Sequence, residues 1–546
     1  MRTTHTGYDG DVLGASLFPF GRARALALAR ATWGQAKDRP RNLPAIAASR
    51  PIPTSAAIDA RTTSDLDLDG LFTVLDRTES PLGQQWLYHR LHRTDISAAD
   101  REAFDALVTT MTENATARER AQLALATLQH PSSLDLWSLT EPNALPDTAW
   151  YGVFPVLTLI TLIIVGLLPL WPPALLLLLV STIASIALRA RLAAWLFVVS
   201  GPFRQISALL SAAHTIAGGV PTDRSSLTQS LGADARTLAR LGRIAALSRR
   251  DTGSPGDLAG LAMEYLNLVL YLDGNALLFG RRELTRHHAE LARVIDSVGA
   301  VDAAIAVASW RTAHTGWSRP EFVEGALTVT GMWHPLISAP IANDAAMKPG
   351  HGLIVTGSNM SGKTTYLRTL GVAAVMARTL NTCPAGMWRG PALAVRSSIG
   401  RHDSLAEGKS YYLAEAEAVL SCLSAAAGSA PTLFLFDELF RGTNRVERLA
   451  AGEAVMRALV DGRPHVAVVA THDAELVELL ADRYRPVHFD GHLDDGVLRF
   501  DYRVREGRAT SRNAIALLQQ LGAPASLIAA AAARASALDA SAEASG

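Results

Sequence analysis

Gly357-Ser358-Asn359-Met360-Ser361-Gly362-Lys363-Thr364 decides how this chain is read. The stretch fits G-x-x-x-x-G-K-[ST], the phosphate-binding P-loop. Leu353-Ile354-Val355-Thr356 precedes it as an apolar run and predicts a buried strand. Tyr366 to Leu380 follows with the pattern of a helix. Strand, loop and helix in that order are the context the motif requires. The glycines let backbone N–H groups turn toward phosphates, and the helix N-terminus adds partial positive charge. On this reading Lys363 reaches the β- and γ-phosphates of a nucleotide, and Thr364 holds Mg²⁺. Gly357 to Thr364, with Thr365 beside them, form the expected nucleotide cradle.

Further features stand downstream in the order an ABC-type ATPase needs. Leu433-Phe434-Leu435-Phe436 is a second apolar strand, ended by Asp437-Glu438. Asp437 is placed to contact Mg²⁺, and Glu438 to orient or deprotonate the attacking water. Val466–Ala470 is a third strand, and it ends in Thr471-His472. A histidine there can bond the γ-phosphate or the lytic water; equally, it is a polar residue before the helix that begins near Asp473. Strands that end in chemistry on one edge are the layout of a parallel α/β sheet. Between P-loop and acidic pair, Leu413, Ala416, Leu420 and Leu423 recur at helical spacing. Ser410 falls near that helix's N-terminus, where anions are favoured, or simply caps it.

Several marks together resemble the ATPase domain of the MutS family. They are Thr356-Gly357-x-Asn359-Met360-x-Gly362-Lys363-Thr364-Thr365-Tyr366-x-Arg368, Leu405-Ala406-x-Gly408-x-Ser410, Asp437-Glu438-x-x-Arg441-Gly442-Thr443 and Ala470-Thr471-His472-x-x-Glu475-Leu476. The tail adds Phe500-x-Tyr502, Gly507, Ser511 and Asn513-Ala514-Ile515. Asp59-x-x-Thr62-x-x-Asp65-Leu66, Leu71-Phe72-x-x-Leu75-Asp76-x-Thr78 and Pro81-Leu82-Gly83 resemble the opening of the family's core (lever) domain. Val301 to Ala308 with Arg319-Pro320-Glu321 resemble its exit. The resemblance implies an ATPase using ATP and Mg²⁺. It also implies a homodimer with composite sites, in which Ser410 reaches the partner's nucleotide, and binding of DNA, including mismatched DNA. Two departures stand out. The 57 residues before the core pattern contain no Phe-x-Glu mismatch wedge, and Pro340 stands where the family places an aromatic side chain against adenine.

The 546 residues predict more than one domain. Lys plus Arg and Asp plus Glu both number 51, so net charge announces no nucleic-acid partner. Cys383 and Cys422 lack metal-ligand spacing and suit a reducing compartment. The N-terminus carries no signal-peptide pattern. Arg22–Lys37 reads as a basic helix with a solvated face, or one that meets lipid or nucleic acid; Arg39–Thr54, with four prolines, reads as a linker.

Residues 148–188 contain no charged side chain. Val153–Leu168 and Ala174–Leu188 flank Pro169-Leu170-Trp171-Pro172-Pro173, and each approaches the length that crosses a bilayer. Trp150, Tyr151 and Trp171 suit an interface, and Arg189, Arg191 and Arg204 a cytoplasmic flank.

The expected fold class is therefore an α/β ABC-type P-loop ATPase domain, preceded by an all-α core-like region that a transmembrane helical hairpin interrupts. The expected segments are 1–57, 58–147, 148–200 for hairpin and interfacial stretch, 201–330, and 331–546 for the ATPase. The expected location is a membrane, with the ATPase facing the cytoplasm. Two rival functions are a membrane nucleotide switch without a DNA role and an ABC transporter subunit. Against the latter, Asp403–Ser410 lacks the Leu-Ser-Gly-Gly-Gln transporter signature.

Overall fold

The computed structural model describes residues 19–50, 52–141, 152–221, 225–247, 265–358, 360–400, 411–440, 443–494, 497–508 and 514–543. They fall into two compact units. One is drawn from Met1–Ile52, Leu75–Arg90 and Ala98–His314; the other from Pro53–Val74, Leu91–Ser97 and Thr315–Gly546.

The first unit is helical in its described residues. Its centre is the helix Leu272–Ala313, kinked at His287, where φ is −125°. From Val298 to Arg311 every residue of this helix is buried. From Val298 to Ala308 the stretch is apolar on all sides but for one residue, as suits an encircled helix. Asp302 is the buried exception, and its carboxylate is satisfied locally. It accepts the N–H of Glu79 at 2.7 Å, the N–H of Ser80 at 2.9 Å and the Ser80 hydroxyl at 2.6 Å. Ser80 in turn accepts the Gly83 N–H at 3.2 Å in the first turn of the helix Pro81–Leu91. The basic N-terminal segment is bound into the same unit. Lys37 pairs with Glu79, Arg39 and Arg41 with Asp76, and Arg50 with Asp296. Burial acts to raise the Asp76 carboxyl, but Arg39, Gln84 and Thr78 outweigh it and hold the group below its usual range.

The expected transmembrane hairpin, the fold class that contained it and the membrane location drawn from it are all overturned. Among the described residues, no helix is long and apolar enough to cross a membrane. The first candidate forms a helix, Val153–Leu167, of 15 residues. At 1.5 Å per residue it is about 22 Å long, short of the roughly 30 Å hydrocarbon core. The second candidate opens a 44-residue helix, Ala174–Ala217, whose uncharged part ends before Arg189. Several of the hairpin's side chains are used within the unit. Phe154 packs on Gly274 and meets the Tyr271 ring at 6.1 Å. The Thr158 hydroxyl donates to the Leu270 carbonyl at 2.8 Å. Ser185 bonds the Tyr271 hydroxyl. Arg204, read as a flanking charge, donates instead to Asp273 at 3.4 Å. Trp150 and Tyr151 lie outside the described residues.

The second unit holds two sheets. Strands β1 (Glu321–Phe322), β2 (Leu327–Met332), β3 (Asn343–Met347) and β5 (Met387–Gly390) form one, in the order β1-β5-β2-β3. The other contains β4 (His351–Gly357), β6 (Ala394–Ser398), β7 (Thr432–Asp437), β8 (Val466–Ala470), β9 (Tyr484–Asp494) and β10 (Val497–Glu506). Its order is β10-β9-β4-β8-β7-β6, parallel except for β10. The sheet layout is thus mixed. Strand β8 is buried throughout, as is β7 up to Asp437; such unbroken apolar runs suit central parallel strands covered on both faces.

The short helix Ala60–Asp65 belongs to this unit and docks at the end of β6. Asp65 accepts the Ser397 hydroxyl and the N–H groups of Ile399 and Gly400, each at 2.8 Å. Thr62 accepts the Ser397 N–H at 3.0 Å, and Asp59 pairs with Arg396 at 2.8 Å.

Candidate active site

Register brings the chemistry to one edge. Val355 in β4 and Asp437 in β7 are both level with Ala470 in β8. The residues that follow these strand ends therefore emerge side by side. They are the P-loop, the Asp437-Glu438 pair and Thr471-His472.

The loop is built on glycine conformations. Gly357 has φ 141°, and a Cβ there would lie 2.7 Å from the Phe489 carbonyl. Gly362, at φ 108°, turns the chain into the helix Lys363–Leu380. Met360 also adopts a positive φ, 71°, and its side chain is exposed. Ser361 and Lys363 are buried, while Thr365 is exposed on the helix's first turn. Asn359 and Ser410 lie outside the described residues, as do Arg441 and Gly442.

Lys363 Nζ donates to the Gly357 and Ser358 carbonyls at 2.8 and 2.9 Å. It also lies 3.3 Å from His472 Nε2. That nitrogen is 3.1 Å from Glu438 Oε1. The Thr364 hydroxyl donates to Asp437 Oδ2 at 2.6 Å. Burial pushes the Asp437 carboxyl up from its usual range; the bond from Thr364 opposes that rise and the charge of Glu438 adds to it. A hydroxyl and a carboxylate this close form a hard-oxygen donor pair that fits Mg²⁺. Lys363, Thr364, Asp437, Glu438 and His472 thus converge at these strand ends.

Three contributors were not assigned by motif. Tyr502 sits at a register shift in β10, between Phe500 and Val504, with φ 54°. Asn343 spans this bulge, donating to the Tyr502 carbonyl at 2.9 Å and accepting the Val504 N–H at 2.7 Å. The half-exposed Tyr502 ring consequently lies over the P-loop, 3.3 Å from where a Gly362 Cβ would stand. The third is Glu415, which accepts the N–H of Phe440 just beyond the acidic pair. Of the three, Tyr502 stood in the family-like Phe500-x-Tyr502, where no local pattern assigns its contact; Asn343 and Glu415 were not singled out.

Residues 353–539 match MutS domain V. The chain is also similar to the DNA mismatch repair protein MutS from each of two strains of Thermus thermophilus. It is 32% identical to each over 249 residues, which cover 44% of this chain and 30% of the relative. The chain therefore spans under a third of the length of these curated relatives.

Proposed function

The chain belongs to the MutS family through its domain V, and we propose that it binds and hydrolyses ATP as members of that family do. The observation that carries the proposal is the convergence of Lys363, Thr364, Asp437, Glu438 and His472 at adjacent ends of three parallel strands.

The P-loop cradles the triphosphate with backbone N–H groups, and Lys363 supplies the positive charge. Thr364 and Asp437 would hold Mg²⁺, which would neutralise charge on the phosphate oxygens. Glu438 accepts a proton from the attacking water, and His472 steadies that carboxylate. Tyr502 offers an aromatic face for the base, in place of the side chain that Pro340 cannot provide. Two copies complete the sites.

DNA handling enters from the relatives' name as the second part of the proposal. Its phosphate contacts would come from side chains other than Lys37, Arg39, Arg41 and Arg50, which pair with carboxylates of their own unit. Those pairs favour a second reading, a nucleotide switch that acts on a protein partner without DNA. One experiment addresses both parts. ATP turnover is measured with and without Mg²⁺ for wild type and Lys363→Ala, and homoduplex and mismatched DNA are titrated at two salt concentrations. Mg²⁺-dependent turnover lost in the variant supports the ATPase. Wild type without turnover sinks it. Salt-sensitive, nucleotide-dependent DNA binding separates the two outputs.

A further inference from the structure

We propose that Glu415 is a positioning residue for Glu438, holding the turn that presents the hydrolytic carboxylate. The inference rests on the ATPase reading of the site. Glu438 and Phe440 both have left-handed backbones, at φ 59° and 56°. Non-glycine residues keep such conformations only where their surroundings enforce them.

The turn is gripped on both sides. The Glu438 N–H donates to the Ala470 carbonyl of β8 at 2.9 Å. The Phe440 N–H donates to the Glu415 carboxylate. Glu415 is 5% exposed and lies in the second turn of the helix Tyr411–Ala426. Val419, Cys422 and Ala426 of that helix share one apolar core with Leu439 and Phe440. Arg61 ties the same helix down through the Ala414 carbonyl at 2.9 Å.

Removing the Glu415 acceptor leaves the buried Phe440 N–H unsatisfied, which a turn relieves by rotating. Glu438, two residues away, then loses its placement beside His472. Lys363 and the P-loop keep their own bonds, to Gly357 and Ser358, so nucleotide binding is spared. A shift of the helix Tyr411–Ala426 is in this way transmitted to the hydrolytic turn.

The test compares full-length wild type, Glu415→Ala and Glu415→Gln. It measures ATP turnover, affinity for a non-hydrolysable ATP analogue, and hydrogen exchange at the Phe440 amide. In Glu415→Ala we expect kcat to fall about 10–100-fold, with KM and analogue affinity held within about twofold and faster Phe440 exchange. Glu415→Gln retains a carbonyl acceptor and recovers most of the rate and the protection. The inference is overturned if Glu415→Ala keeps wild-type kcat, if its analogue affinity falls as far as its kcat, or if Glu415→Gln is equally impaired. Should wild type turn over no ATP, the ATPase reading fails by itself. The Phe440 amide then decides the inference, and unchanged exchange in Glu415→Ala overturns it.

Discussion

His472 Nε2 lies 3.1 Å from Glu438 Oε1 and 3.3 Å from Lys363 Nζ. One ring nitrogen therefore faces an acceptor and a donor, and it serves only one of them in a given tautomer. With the proton on Nε2 it donates to Glu438; without it, it accepts from Lys363. The histidine joins the P-loop side of the site to the acidic pair.

Loss of the Glu438 carboxylate separates binding from hydrolysis. Glu438→Gln should lower kcat by about 10²–10⁴-fold while ATP affinity stays near wild type. Single-turnover kinetics beside equilibrium nucleotide binding check this. A parallel loss of affinity would place Glu438 in binding instead.

Lys363 and Thr364 should fail differently. Lys363→Ala removes the charge aimed at the phosphates and should reduce turnover about 10²–10³-fold, with loss of ATP-induced thermal stabilisation. Thr364→Ala frees Asp437 of its 2.6 Å bond and removes a metal oxygen, so its defect should be partly overcome by raised Mg²⁺. A Mg²⁺ titration of both variants distinguishes them.

Tyr502 should act on the base. Stacking on an aromatic ring is worth about 1–3 kcal/mol, so Tyr502→Ala should raise KM for ATP about 5–150-fold. Tyr502→Phe keeps the face and should stay within about twofold of wild type. If ATP and inorganic triphosphate lose affinity equally in Tyr502→Ala, the ring does not touch the base.

Asp302 gives the helical unit a pH response. Burial first, and then the charge of Glu79, push its carboxyl from 3.8 up to about 6. A carboxyl raised in the folded state contributes stability that is full below its unfolded value and is lost as pH rises through its folded value. The window is therefore about pH 4 to 6, and the loss about 3 kcal/mol. Asp302→Asn should flatten that part of the profile in urea titrations followed by tryptophan fluorescence. Gly83→Ala tests the same contact sterically, because a Cβ would stand 2.2 Å from Asp302 Oδ2. Alanine normally favours a helix, but overpacking here should cost about 1–3 kcal/mol net.

Much of the candidate site was legible in the chain because its chemistry is local. Lys363 and Thr364 follow their glycines directly, Asp437-Glu438 ends one apolar run, and His472 lies just past another. Each run is dense enough in β-formers to announce a strand, and each functional residue is covalently fixed to a strand end. The hairpin was misread for the converse reason. Lack of charge over 148–188 is local, but it describes side chains without saying what surrounds them. The 15-residue limit of the first helix and its packing on Tyr271, Gly274 and Asn275 depend on how the chain folds back.

Tertiary structure alone decided the remaining relationships. Asp65 reaches Gly400 across 335 positions, Asn343 spans the Tyr502 bulge from 159 positions away, and Glu415 meets Phe440 across 25. No periodicity encodes such pairs, because each depends on the register of the sheet and the docking of separate helices. Composition and spacing determined which residues could do phosphate chemistry. The parallel register that levels Val355, Asp437 and Ala470 determined that they meet, since only strands paired in step bring distant loops to one edge.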